Sequence, residues 1–281
     1  MKIPLTLIIM AIGLMALSAV GTTVMDREES SIEVAEYQPC YSSDRLDMVV
    51  DPLPMSVLPE KKKVNLDPFP TEKHLRAIGR MAESIHHSKM KMGGWWECGV
   101  FYTDDKEVME KALMYAHMIV KEAWEASDPP YVKDGWTLNP WGLAGTIHNE
   151  SKFDRCALGL YPRKKAYELG IIKKNRLTLS HTEEDVIAAV TDPRMQEYFK
   201  KSGFDMGVAQ LLSRFYESPN DYENMLSLKG GTEEAARTMR DRARLYRTDR
   251  PWKYWPGHKA DWYDDKVTRW AKGLGATKGE I

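Results

Sequence analysis

The 281-residue chain lacks an excess of charge of either sign, with 40 basic side chains against 41 acidic ones and a formal net charge of -1. That balance provides no global basic field, so net charge gives no support for tight electrostatic binding to nucleic acid. After Val20 no long apolar run recurs, which excludes a multi-pass membrane protein. Also missing are a His-Glu-x-x-His pair, a Gly-x-Ser-x-Gly elbow, a phosphate-binding glycine loop and a dinucleotide fingerprint. A zinc site and nucleotide chemistry are therefore disfavoured, and no metal or cofactor is expected. His86 and His87 have no partner at ligand spacing, cannot share a helix face, and read as surface residues. With 43% hydrophobic and 29% charged residues the composition is that of a folded protein, long enough for one large domain or two small ones.

The apolar run Ile3–Val20, preceded by Lys2, reads as a targeting or anchoring segment within residues 1–25. Ala16-Leu17-Ser18 before Ala19 has the small-residue spacing of a signal cleavage site, and an uncleaved membrane tether is the alternative. Either way export is expected. Residues 26–70 hold six of the fifteen prolines and the run Lys61-Lys62-Lys63, so they read as an extended linker with a solvated charge cluster. An exported chain sits where disulfides persist. Of the three cysteines, Cys98 and Cys156 fall in the folded part and Cys40 in the linker, so a Cys98–Cys156 bond is the favoured pairing and free thiols are the alternative.

From residue 71 onward the punctuation is helical, and residues 71–281 form one mainly α domain. Thr71 caps a helix with Leu75, Ile78, Ala82 and Ile85 on one face, and Gly93-Gly94 stops it. Val108, Ala112, Tyr115, Ile119 and Ala123 recur at helical spacing from Asp105 to Ala126, before Asp128-Pro129-Pro130. Asn139-Pro140 offers a cap and a first-turn proline for a third helix through Trp141, Ala144, Ile147 and Glu150. Thr182 before Glu183-Glu184-Asp185, and Asp192-Pro193, start two more, the second ending near Gly203. Thr232 is the expected cap of a stretch through Ala235, Ala236, Met239, Ala243 and Tyr246. Asp261 opens a final helix with Tyr263, Val267, Trp270 and Ala271, closed by Gly273. No strongly alternating strand competes with these helices.

The stretch Gly145–Gly159 places the carboxylate of Glu150 near the end of an apolar helix, directly before Ser151 and a turn. Apolar surroundings and the negative end of the helix dipole both favour the neutral acid, which makes Glu150 a candidate proton donor. Asp154 and Asp205 are candidates for a second acid, with Asp154 better suited to capping the turn.

Glu150-Ser151, Phe153 and Ala157-Leu158-Gly159 resemble the Glu-Ser motif of lysozyme-like lytic transglycosylases, of the soluble lytic transglycosylase type. Met206-Gly207-Val208-Ala209-Gln210 resembles their Gly-Leu-Met-Gln motif, and Lys253-Tyr254-Trp255-Pro256-Gly257 their Ala-Tyr-Asn-x-Gly motif, in family order. Trp255 stands where the family usually has asparagine. The 60 positions from Glu150 to Gln210 exceed the expected interval, so about 160–204 reads as a solvated helical insertion.

The resemblance implies a lysozyme-like helical domain, located in the periplasm or cell envelope, that cleaves the MurNAc–GlcNAc bond of peptidoglycan with a single glutamate acid/base. It implies that Glu150 protonates the glycosidic oxygen and then acts as base, giving 1,6-anhydro products, while Tyr254 hydrogen-bonds the carboxylate. Ser151 would orient substrate, Gln210 would shape the groove, and Trp255 would stand at the sugar-contact position. The nine tryptophans suit a carbohydrate binder. Hydrolysis by a muramidase, and a non-catalytic peptidoglycan-binding envelope component, are the alternative expectations.

Overall fold

A computed structural model of the chain describes residues 69–127, 138–173, 181–202, 205–212 and 224–281. All belong to one compact unit, Lys63–Ile281. Ile3–Val20, Cys40, the lysine run and Asp128-Pro129-Pro130 lie outside the described residues, among which no helix is long and apolar enough to cross a membrane.

The fold is mainly helical. Helix α1 (Glu72–Lys91) begins where the Thr71 hydroxyl accepts the His74 amide at 3.3 Å and His74 Nδ1 accepts the Thr71 amide at 3.0 Å, a reciprocal cap with histidine in the usual Glu/Gln position. Its buried face is Ala77, Ile78, Met81, Ala82 and Ile85, whereas Leu75, expected there, is 55% exposed. Strands β1 (Trp95–Glu97) and β2 (Val100–Tyr102) follow as an antiparallel hairpin. Cys98 and Gly99 make its two-residue turn, both at positive φ as a primed turn requires. The aromatic residues flanking Cys98-Gly99 were the available signal for this unexpected hairpin.

Helix α2 (Asp105–Glu125) is capped by Asp104, whose Oδ1 accepts the amides of Lys106 at 2.9 Å and Glu107 at 3.0 Å. It packs along α1 with Val108, Ala112, Tyr115, Ile119 and Ala123 fully buried. Helix α3 (Pro140–Ser151) is capped by Asn139 and carries Pro140 in its first turn. It is buried continuously from Pro140 to His148, as expected for a helix at the core of a bundle.

Helices α4 (Leu160–Glu168), α5 (Glu183–Thr191) and α6 (Pro193–Ser202) lie in the stretch 160–204 that was expected to be a helical insertion. Thr182 caps α5 as expected, in a reciprocal box with Asp185. Strands β3 (Asp205–Met206) and β4 (Leu211–Leu212) pair antiparallel, and Met206 also bridges Leu158. Helix α7 (Leu228–Tyr246) starts one turn before Thr232, with Ser227 as its cap. Gly230 and Gly231 thus lie inside the helix: a Cβ on Gly231 would meet the Met225 carbonyl oxygen at 2.8 Å, and one on Gly230 that of Asn224 at 2.2 Å. Close backbone approach therefore accounts for two glycines that resemble a helix boundary in the sequence.

A 3-10 turn (Pro251–Tyr254) leads to α8 (Asp261–Gly273), which packs on α3. Two glycines of α3 allow this approach. A Cβ on Gly145 would lie 2.6 Å from the Val267 carbonyl oxygen, and one on Gly142 2.1 Å from the Trp252 ring. Trp252, itself buried, donates its indole N–H to Asp264 at 2.7 Å, so the 3-10 turn and α8 are bound into the same core.

Candidate active site

Helix α3 ends just after Glu150. Lys152 and Phe153 take left-handed backbone conformations, with φ of 54° and 64°, and the chain reverses. Two non-glycine residues in that region are held by their surroundings: the Phe153 side chain is buried, and the Lys152 carbonyl accepts Lys89 Nζ at 2.7 Å. Glu150 is thereby left half-buried at the end of a buried helix.

The hydroxyl of Tyr263 on α8 donates to Glu150 Oε1, and Asn149 Nδ2 donates to the same oxygen at 3.1 Å. Burial raises the pKa of Glu150 above the ordinary carboxylate value; the charge of Asp205 acts in the same direction. The two hydrogen bonds and the positive charge of Lys266 oppose that rise. Burial, together with the nearby carboxylate, pushes the Tyr263 phenol well above its ordinary value, so it remains a donor. This arrangement suits a proton-transfer residue: an acid whose burial favours the protonated form, aimed by a neutral hydroxyl.

The other sequence-selected residues have different surroundings from those expected. The Tyr254 ring stacks on Tyr246, with centroids 3.8 Å apart and planes 6° from parallel, and the phenol on Glu150 is that of Tyr263 instead. Trp255 is 8% exposed beneath the Arg242 guanidinium, 4.7 Å from its ring, so it presents no open face to a sugar. Ser151 is buried; its hydroxyl donates to the Val208 carbonyl oxygen at 2.6 Å and lies 3.2 Å from that of Ile147. It clasps the turn between β3 and β4 onto α3 and does not face outward to orient substrate. Gln210, at φ 51°, donates Nε2 to the Ala157 carbonyl at 2.7 Å and to that of Gly207 at 3.0 Å. Glutamine here locks the Ala157–Gly159 segment to the Gly207–Gln210 turn, beside the end of α3.

Cys98 and Cys156 are disulfide-bonded, tying the β1–β2 hairpin to the segment after Glu150. Asp154 caps this junction, its Oδ1 accepting the amides of Cys98 at 3.1 Å and Cys156 at 2.9 Å. These three residues are the group of metal-ligand type among the described residues, and both sulfurs are committed to the disulfide. Alongside, Glu97 accepts the Tyr115 hydroxyl and Arg155 Nε, each at 2.9 Å, and Arg155 reaches Glu183 at the start of α5 at 2.9 Å. This polar core braces the turn behind Glu150.

Tyr263 was missed as a site residue because its spacing with Val267 and Ala271 is that of a core face, which it also occupies. A 650 Å³ depression lined by Lys73, Arg76, Gly79, Arg80, Glu83 and Glu280 lies elsewhere and shares no residue with the Glu150 group. No family model, curated protein or solved structure matches the chain.

Proposed function

We propose that this protein is an exported, lysozyme-like enzyme that cleaves the MurNAc–GlcNAc bond of peptidoglycan, with Glu150 as acid and then base. The observation that carries this reading is the Glu150 carboxyl itself, held by the Tyr263 hydroxyl and pushed toward its protonated form by burial. The ordered motifs around Glu150, Gln210 and Tyr254 support the substrate class. Export is supported by the apolar run Ile3–Val20 and by a disulfide of the kind that persists outside the cytosol. The same run supports a membrane tether if it remains uncleaved.

In the proposed reaction the glycosidic C–O bond breaks and its electron pair leaves with the oxygen, which takes the proton of Glu150. The anomeric carbon becomes cationic. The sugar's own 6-hydroxyl then bonds to that carbon and returns its proton to Glu150, giving the 1,6-anhydro product of a lytic transglycosylase. Attack by water in place of the hydroxyl is the muramidase outcome.

The full chain, incubated with purified peptidoglycan, is expected to release anhydro muropeptides identified by mass. Products heavier by one water mean hydrolysis. A binding-only role is the second reading, favoured by the inward-turned Ser151 and Trp255. It is supported if the protein sediments with sacculi and releases nothing.

A further inference from the structure

Among the tryptophans whose exposure the structure describes, Trp141, Trp252 and Trp255 are buried and Trp124 is half-buried, whereas Trp262 and Trp270 are 55% and 39% exposed. Both exposed indoles belong to α8. With Lys266, also exposed, they stand at i, i+4 and i+8 and so share one slanted row of the helix surface. From the helical rise the row is about 12 Å long, enough to meet more than one sugar ring. Direct contacts tie each end of it to the last turn of α3. Trp262 meets the Tyr263 ring edge-on, with centroids 5.5 Å apart, and the Tyr263 hydroxyl donates to Glu150. Trp270 lies against His148, two positions before Glu150, with centroids 4.1 Å apart. Between the indoles, Lys266 Nζ is 5.2 Å from the centre of the Trp262 ring. The acidic residues of α8 lie off this row: Asp264 is buried against Trp252 and Arg250, and Asp261, on the next row with Asp265, lies 3.6 Å from Lys253. Clustered exposed aromatic surface beside a buried acid marks a place where a ligand lies.

We propose that Trp262, Lys266 and Trp270 form a glycan-strand subsite beside Glu150, in which the two indoles stack on the apolar C–H faces of sugar rings and Lys266 pairs with a carboxylate of the muramyl residue. This rests on the peptidoglycan reading above. The occupant follows from charge and shape. A peptidoglycan strand presents apolar ring faces throughout and a carboxylate on alternate sugars, that of the lactyl group or, where peptide is attached, that of the stem. A row of aromatic, cation and aromatic side chains complements both features, whereas a neutral sugar oligomer engages the indoles alone. The row also supplies the sugar contact that the sequence placed at Trp255, whose ring is covered by Arg242.

The test measures the affinity of the full chain for soluble peptide-bearing glycan strands, for strands stripped of peptide by an amidase, and for neutral oligomers of N-acetylglucosamine. Trp262→Ala is expected to weaken binding of all three about 10-fold, the scale of burying a large part of one aromatic side chain, and Trp262→Phe to recover part of it. Lys266→Met is expected to weaken binding of carboxylate-bearing strands roughly 2- to 5-fold at low salt, to leave the neutral oligomers unaffected, and to be rescued by Lys266→Arg. An effect of Lys266→Met on stripped strands assigns the lactyl carboxylate, and one confined to intact strands assigns the stem peptide. Wild-type affinity in Trp262→Ala overturns the subsite, and a Lys266→Met variant that does not distinguish charged from neutral glycans overturns the pairing. Muropeptide release by the wild-type chain judges the cleavage reading separately: binding through Trp262 without release keeps the subsite and removes the chemistry. A wild-type chain that neither binds strands nor releases muropeptides overturns both.

Discussion

The hydroxyl of Tyr263 donates a hydrogen bond to Oε1 of Glu150 across 113 positions of sequence, joining α8 to the end of α3. This contact determines which tyrosine matters. The hydrogen bond stabilises the charged carboxylate, so its loss raises the Glu150 pKa. Tyr263→Phe should shift the alkaline limb of activity to higher pH and lower kcat by aiming the acid less well. Tyr254→Phe, which removes a hydroxyl from a ring stacked on Tyr246, should change neither. Parallel pH–rate profiles of the two variants distinguish them.

Glu150→Gln keeps the shape of the side chain and removes the proton cycle. Release of muropeptides should fall at least 10²-fold, the scale of general acid–base catalysis, with an unchanged circular dichroism spectrum. Wild-type release by this variant would remove Glu150 from the chemistry.

Helices α3 and α8 meet where Gly145 faces the Val267 backbone, so Gly145→Ala must push them apart. A loss of roughly 1–3 kcal/mol is expected, as for overpacked cores. Because Tyr263 rides on α8, the same substitution should also lower activity under conditions where the protein remains folded. Denaturant midpoints and initial rates, measured on one preparation, check both effects.

Asp154→Ala leaves the buried amides of Cys98 and Cys156 without their shared acceptor. At about 1–3 kcal/mol for each buried donor, a loss of roughly 2–6 kcal/mol is expected in denaturant unfolding, with the disulfide intact. A change below this range would mean that the carboxylate contributes little to the turn.

His148 lies two positions before Glu150, its ring 4.1 Å from that of Trp270. Burial first, and then the charges of Lys89 and Lys152, lower its pKa to about 4. Between the ordinary histidine value and about 4 the unfolded chain therefore binds a proton that the folded chain excludes, so stability falls as pH drops through that window. The loss from this residue should be on the order of 3 kcal/mol. The stability measured by urea unfolding from pH 7 to pH 4 should fall less steeply with pH for His148→Phe, whose ring keeps the tilted contact with Trp270 and cannot take up a proton.

The sequence alone was sufficient at several positions where the deciding chemistry spans a turn or less, though the cap expected at Thr232 is supplied by Ser227. Thr71, Asn139-Pro140 and Thr182 mark helix starts because a cap bonds to an amide two or three residues on. Glu150 was legible as a helix-end carboxylate, and Asp154 as a turn cap, for the same local reason. The hairpin turn at Cys98-Gly99 was equally local, but its strands are too short for alternation to be detected. Tertiary structure decided the remainder. It selected Tyr263 over Tyr254 and turned Ser151 and Trp255 inward. It also ran a helix through Gly230-Gly231 and set Asp205 beside Gly159. Each of these outcomes depends on which distant backbone comes within a few ångströms, and neither residue type nor spacing encodes that distance.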